Sequence, residues 1–173
     1  MIFVVLGTQD KPFDRLLKVI DQAVKDGVIT DKIVVQAGET DFHSDNMEIR
    51  KIIPMNEFNQ LIKDSDLVIC HAGYGILSSA LEAGKKVLSA ARLAEYGEHQ
   101  NNHQCDILDY YEKKSYIMAL HDFSKFNETF KSLKDFEPKK YNVSFEKLTD
   151  FICDFIDNNG KINIMRVGGG TTV

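Results

Sequence analysis

Asp66-Leu67-Val68-Ile69-Cys70-His71-Ala72-Gly73-Tyr74-Gly75 reads as a strand running directly into a glycine-bearing turn. Its apolar centre is continuous rather than alternating, which fits a strand covered on both faces, as in a parallel sheet. Small and apolar residues follow as far as Ala83, and Gly84 stands where a helix can end in the left-handed conformation. The same order recurs on either side. Upstream, residues 1–6 form an apolar run stopped by Gly7-Thr8, and Phe13, Leu16, Leu17, Ile20, Ala23 and Val24 recur at helical spacing. Residues 33–36 predict a second strand. Residues 49–53 predict a third, halted by Pro54, and Asn56 is placed to cap a short helix carrying Phe58, Leu61 and Ile62. Downstream, residues 86–90 predict a strand and residues 92–98 a polar loop. A helix from about His99 to Glu112 and a last strand over 116–119 complete the series. Strands alternating with helices predict an α/β fold, a doubly wound, Rossmann-like parallel sheet in one domain.

The rest of the chain adds limits. Its 173 residues suit one domain with a proper core. The net charge of −5 and a pI near 5.5 argue against a nucleic-acid partner, whose phosphates call for Lys and Arg. Cys70, Cys105 and Cys153 are odd in number and widely spaced, which suits reduced thiols rather than a zinc or redox pair. The opening apolar run lacks a basic region and a cleavage site, and no apolar run approaches the ~18 residues of a membrane span. A cytoplasmic chain is expected, held at a membrane face only through something else. Beyond residue 122 the sequence is charged and less regular, although residues 143–156 read as an amphipathic helix. The domain is expected to span 1–160, with residues 161–173, ending Gly168-Gly169-Gly170-Thr171-Thr172-Val173, as a loose tail.

In an open α/β sheet, ligands bind beyond the carboxyl ends of the strands. The loops predicted there cover residues 7–12, 37–45, 71–75 and 91–99. The turn at His71–Gly75 opens a helix whose first backbone N–H groups suit a phosphate, and glycine allows close approach. The same turn serves equally as a tight connection with no ligand. Gly73-x-Gly75-x-x-Ser78 nearly matches a dinucleotide fingerprint, but Ser78 replaces the third glycine and the motif does not follow the first strand. His99 and His103, four apart on the expected helix, could hold zinc, but HExxH is absent and no third ligand follows. The run Tyr96-Gly97-Glu98-His99-Gln100-Asn101-Asn102-His103-Gln104 is better suited to hydrogen-bonding a polar ligand such as a sugar, or to a solvated helix start.

These residues together resemble the Alg13-like proteins, and most closely the bacterial PssE-like subunits, which correspond to the C-terminal half of a GT-B glycosyltransferase of the family 28 type. The resemblance covers about residues 1–120. Its marks are Gly7-Thr8 with Pro12-Phe13-Asp14-Arg15-Leu16, the strand and turn over 66–75, Leu81 with Gly84-Lys85, and Gly97-Glu98-His99 with Asn102-His103-Gln104. The resemblance implies an inverting transferase that binds a UDP-sugar without a metal or other cofactor. It implies a membrane-anchored Alg14-like (PssD-like) partner, and a lipid-linked saccharide as acceptor. It places the diphosphate on the backbone of Gly73, Gly75 and Ile76 beside His71, and the uracil against Ile53 and Met55. Asn102, His103 and Gln104 would face the sugar. Gly7 and Thr8 would line the cleft between subunits, and Ser79, Arg92, Glu98 and His99 are further candidate donor-binding residues. No general base is assigned to this chain.

The sequence departs from that pattern. Ser79 stands where relatives carry the Glu that grips the ribose hydroxyls, and Glu82 lies a turn too late. Ile76 replaces a small hydroxyl residue, Ala91 a Pro before Arg92, and Gln9 a His. A non-catalytic assembly or regulatory subunit with a degenerate donor site is therefore the alternative expectation. An exposed partner-binding face also predicts self-association of the isolated chain as a homodimer.

Overall fold

The computed structural model describes residues 1–141. The expected helix over 143–156, Cys153 and the expected tail lie outside the described residues.

The first apolar run becomes β1 (Ile2–Val5), with all of its side chains buried. It is central: β2 (Ile33–Gln36) pairs with it on one side and β4 (Leu67–His71) on the other, Ile2 standing opposite both Ile33 and Leu67. β3 (Glu48–Arg50) flanks β2, while β5 (Lys86–Ala90) and β6 (Met118–Ala119) extend the other half. All pairings are parallel and the order is β3-β2-β1-β4-β5-β6. Parallel neighbours need crossovers, here α1 (Asp14–Lys25), α2 (Met55–Asp64), α3 (Tyr74–Glu82) and α4 (His103–Lys113). α5 (Phe126–Ser132) follows β6.

The period of two along β1 divides the core. Ile2, Val4 and Leu6 join Phe13, Leu16, Leu17 and Ile20 of the α1 side, together with Phe126 and Leu133 around α5. Phe3 and Val5 face the opposite layer with Leu77, Ala80, Leu108 and Tyr111 from α3 and α4. The doubly wound parallel sheet is therefore present as expected.

Several boundaries differ from the sequence reading. β3 ends at Arg50, and the residues up to Ile53 are not paired in the sheet. Pro54, not Asn56, is the N-cap residue of α2, with ψ at 144°, and no side chain caps the helix; Asn56 lies within its first turn. α4 begins at His103 rather than His99, because Asn101 Oδ1 accepts the His103 N–H at 3.3 Å and Asn102 Oδ1 accepts that of Ala94 at 2.9 Å. Those side-chain bonds hold the preceding residues in a turn. His99 and His103 are thus not on one helix face. β6 keeps only two of the four expected residues. α5 was hidden because Phe126 and Leu133 are buried among charged neighbours that mask the period.

The loop after β2 is tied down twice. Buried Asp21 of α1 accepts from Ser44 Oγ at 2.5 Å and Asn46 Nδ2 at 2.9 Å. Gly38, at φ +60°, lies so close to the loop after β1 that an added Cβ would stand 2.3 Å from the Gly7 carbonyl oxygen. Gly27 has a similar φ of +68° with open surroundings. Gly38→Ala is expected to lower the unfolding free energy by about 3 kcal/mol, and Gly27→Ala by only about 1 kcal/mol. Urea midpoints of the two variants check this, and equal midpoints would show that the contact between loops is dispensable.

Candidate functional site

The strand order reverses between β1 and β4, whose carboxyl ends lie side by side. Ligands of open α/β sheets bind at such a switch point. His71, the last residue of β4, occupies it. Its Nδ1 donates to the Val5 carbonyl at 3.3 Å. The ring is packed between two glycines: an added Cβ on Gly7 would meet Cε1 at 2.8 Å, and one on Gly73 would meet Nε2 at 2.3 Å. Both glycines are thus required by a side chain of the protein itself. Burial pushes the His71 imidazole down to about 4; the Val5 carbonyl opposes this, and Arg92 and His99 add to it.

Gly73 is also the N-cap residue of α3, without a side-chain cap. The first N–H groups of any helix lack intrahelical acceptors, here those of Tyr74, Gly75 and Ile76, and they carry the positive end of the helix dipole. Tyr74 and Gly75 are exposed, and a Cβ on Gly75 would meet nothing within 4 Å. Ile76 turns its side chain into the core, leaving only its backbone to the crevice. One turn on, exposed Ser79 donates its hydroxyl to the Gly75 carbonyl at 2.9 Å.

The other wall is built on one cation. Arg92, expected in a polar loop, is 1% exposed. Its guanidinium donates to the carbonyls of Leu6 at 2.5 Å, Lys11 at 2.6 Å, Pro12 at 3.3 Å and Glu98 at 3.2 Å, and lies over the Phe13 ring. Burial lowers the Arg92 guanidinium from its ordinary value, with Glu98 opposing. Glu98 is buried too. Its carboxylate takes Arg15 through both oxygens, at 2.9 and 2.8 Å, and accepts the Leu93 N–H at 3.0 Å. Arg15 in turn lies between the rings of Tyr96 and Phe123. The charged residues of this loop read as solvated in sequence because nothing local shows that the carbonyls of a distant loop await them.

The remaining candidates fall into two groups. Thr8, Asn102 and His103 are exposed, and His103 Nδ1 pairs with Asn101 Oδ1. Met55 is 71% exposed, whereas Ile53 is buried and gives its N–H to Gln36 Oε1 at 3.1 Å. Gln104 is buried, with Oε1 accepting the Arg92 N–H at 3.1 Å. The His99 ring meets His103 edge-on at 4.6 Å between centroids, and its Nδ1 accepts the Asn101 N–H at 3.3 Å. The other ring nitrogen, Nε2, lies 3.1 Å from the Gln9 Nε2 amide nitrogen. The structure therefore brings Gly7, His71, Gly73, Arg92, Glu98 and His99 together, and uses Asn102 and Gln104 to pin the loop. Gln9, Arg15 and Gln36 had no assigned role; Arg15 was visible only as part of a motif, and its pairing with a residue 83 positions away has no local signal.

Asp109, Glu112 and His121 could approach one metal ion, but they are exposed and drawn from α4 and the segment after β6. An apolar groove bearing Lys86, Lys131 and Lys134 includes the first residues of β4 and β5, so it lies at the opposite end of the strands from His71.

A doubly wound α/β domain with an uncapped helix start at its switch point is thus defined by fold and site. The model of the glycosyltransferase family 28 C-terminal domain matches residues 1–156, and the chain belongs to that family. It is a glycosyltransferase domain of the sugar-donor-binding kind, with the fold of the C-terminal half of GT-B enzymes. Among solved structures, it is similar to the glycotransferase of kitacinnamycin, at 16% identity and a TM-score of 0.51 over 76% of this chain and 34% of that one. SnogD from Streptomyces nogalater, a glycosyltransferase, shares 20% identity at a TM-score of 0.49 over 78% of this chain and 38% of that one. The spinosyn forosaminyltransferase SpnP shares 12% at 0.49 over 77% and 34%. The chain thus spans between 34% and 38% of the length of these enzymes. No curated protein sequence matches it. No helix among the described residues is long and apolar enough to cross a membrane.

Two outcomes are expected of the site. Arg92→Lys, which cannot reach the same carbonyls with one ammonium, should cost about 3 kcal/mol in chemical unfolding. The His71 imidazole titrates ordinarily near 6.5 but about 4 when folded, so between those values the unfolded chain binds more protons. Stability from this group is complete above 6.5 and falls by about 3 kcal/mol as the pH drops through that window. Urea unfolding across the window should lose that part of the slope in His71→Asn.

Proposed function

We propose that this chain is the UDP-sugar-binding catalytic subunit of a two-component inverting glycosyltransferase. In this reading the chain binds the donor, and a membrane-anchored PssD-like subunit brings a lipid-linked saccharide acceptor and the general base to the cytoplasmic face of the membrane. The transferred group is a hexose or N-acetylhexosamine, in polysaccharide or glycan synthesis. The single observation that carries the donor part is the free start of α3, where the N–H groups of Tyr74, Gly75 and Ile76 lie beside His71 at the switch point. A diphosphate held there leaves with its charge stabilised by fixed dipoles, without a metal. The partner part is supported by the sequence resemblance and by exposed Ile52, Met55, Tyr74 and Tyr96 on segments at this end of the sheet.

Specific features favour a second reading, a non-catalytic subunit of such a complex with a weakened donor site. Ser79 cannot accept two ribose hydroxyls as a carboxylate does, and its own hydroxyl is engaged with Gly75. Calorimetric titration with UDP separates the two. Saturable binding by the chain, abolished in Gly75→Val, is expected of the donor-binding subunit. Its fold is checked by its urea midpoint, and among the described residues a Cβ there meets no atom within 4 Å. Turnover of UDP-GlcNAc or UDP-galactose should then require the partner. Absence of UDP binding even with the partner present would leave the non-catalytic reading.

A further inference from the structure

We propose that the apolar groove at the strand-start end of the sheet binds a fatty-acid anion as a single molecule, its chain in the groove and its carboxylate among the lysines. The groove runs between the turn after α1, the starts of β4 and β5, and α5 with the residues that follow it. Its volume of about 470 Å³ falls within the range of about 300–1,000 Å³ usual for small-molecule sites. Val28, Leu67, Phe130 and Leu133 supply the apolar lining. Leu67 and Leu133 belong to the buried core, whereas Val28 and Phe130 pack against it only in part. Apolar surface is therefore left open in a concave form. A concavity takes one chain into it, while a bilayer meets side chains that stand out from the surface.

Charge decides what that chain carries at its head. Lys86, Lys131 and Lys134 stand around this one groove, although the whole chain has a net charge of −5. Lys86 is held in place: its Nζ donates to the carbonyls of Leu133 at 3.3 Å and Lys134 at 3.5 Å. Leu133 is the C-cap residue of α5, so this ammonium serves the end of that helix. Its carboxylate partner, Glu137, lies 3.6 Å away with a side chain 88% exposed, a contact that water and salt readily exchange. Among the described residues, Lys131 and Lys134 have no carboxylate within 4 Å. An apolar tail laid along Leu67 and Phe130 thus ends beside three ammoniums with little negative charge to answer them. A cationic head would be repelled there, and an anion without a tail would leave the apolar lining in water. A fatty-acid anion is the simplest molecule that meets both conditions.

Titration of the full chain with dodecanoate, followed by NMR of methyl and aromatic groups, tests this site without any variant. Below its micellar concentration, dodecanoate should shift Val28, Leu67, Phe130 and Leu133 in a saturable way. Dodecyltrimethylammonium, with the same tail and the opposite head, and acetate, with no tail, should each bind at least about tenfold more weakly. The double variant Lys131→Glu, Lys134→Glu should also weaken dodecanoate at least about tenfold, since both side chains are exposed and both charges reverse. Its titration with UDP should match that of the unaltered chain, whatever that shows, because the groove and the crevice lie at opposite ends of the strands. Equal binding of the two head groups, shifts centred elsewhere, or unchanged dodecanoate affinity in the double variant overturns the inference. Binding confined to anionic vesicles, with none of monomeric dodecanoate, overturns it in favour of a membrane surface. The donor reading stands or falls separately, on UDP.

Discussion

One buried guanidinium holds the carboxyl end of the sheet together. The loops after β1 and β5 have little regular structure of their own, so their carbonyls need donors from elsewhere. Arg92 supplies them to Leu6, Lys11, Pro12 and Glu98 at once. A full charge at such depth costs several kcal/mol in desolvation and is retained only where it is well paired. Here the pairing is distributed: carbonyls take both terminal nitrogens though not the buried Nε, the Phe13 ring lies beneath the cation, and Glu98 answers its charge while being neutralised from the other side by Arg15. The result fixes the spacing between the two loops that flank His71, so the crevice is shaped before any ligand arrives.

The parts legible in sequence were those whose cause is local. Residues 33–36 and 86–90 became strands with the expected limits because apolar runs of that length, bounded by turn residues, have one plausible environment. The end of α3 at Gly84, with φ +69°, followed from the same kind of reasoning. What sequence did not show depends on distant partners. Residues 92–98 carry charges that ordinarily mean solvent, yet Arg92 and Glu98 are among the buried residues of the chain. Asn101 displaced the start of α4 because its side chain takes the His103 N–H, while Asn102 Oδ1 ties the turn back to the Ala94 N–H.

The turn after β4 was legible in sequence, but the packing that requires its glycine was not. Gly73 marked the turn after β4, as a ligand-binding glycine would. Its closest neighbour is nonetheless the His71 ring, and Gly7 has the same one. Those two glycines answer first to packing, and they would be required even in a domain that bound nothing. Gly75 differs, since among the described residues no atom lies within 4 Å of where a Cβ would stand. A glycine that nothing in the fold demands, at the second position of a helix where alanine would be more favourable by about 1 kcal/mol, points to what must approach from outside. Gly75, more than Gly73, is the glycine that a ligand would require.

The same distinction orders the polar residues. Gln104 and Asn102 looked like ligand-binding groups by type, but each gives its carbonyl to a backbone N–H, of Arg92 and Ala94 respectively. Polar atoms so committed give little to a sugar without loosening the loop they hold. His71 is the contrary case, with one nitrogen engaged on Val5 and the other turned to the helix start. A rigid frame built on Arg92 and an imidazole with one nitrogen in reserve are complementary. The frame spaces the loops after β1 and β5 through Arg92, while the imidazole fills the gap between Gly7 and Gly73, so each holds a part of the crevice wall that the other does not reach.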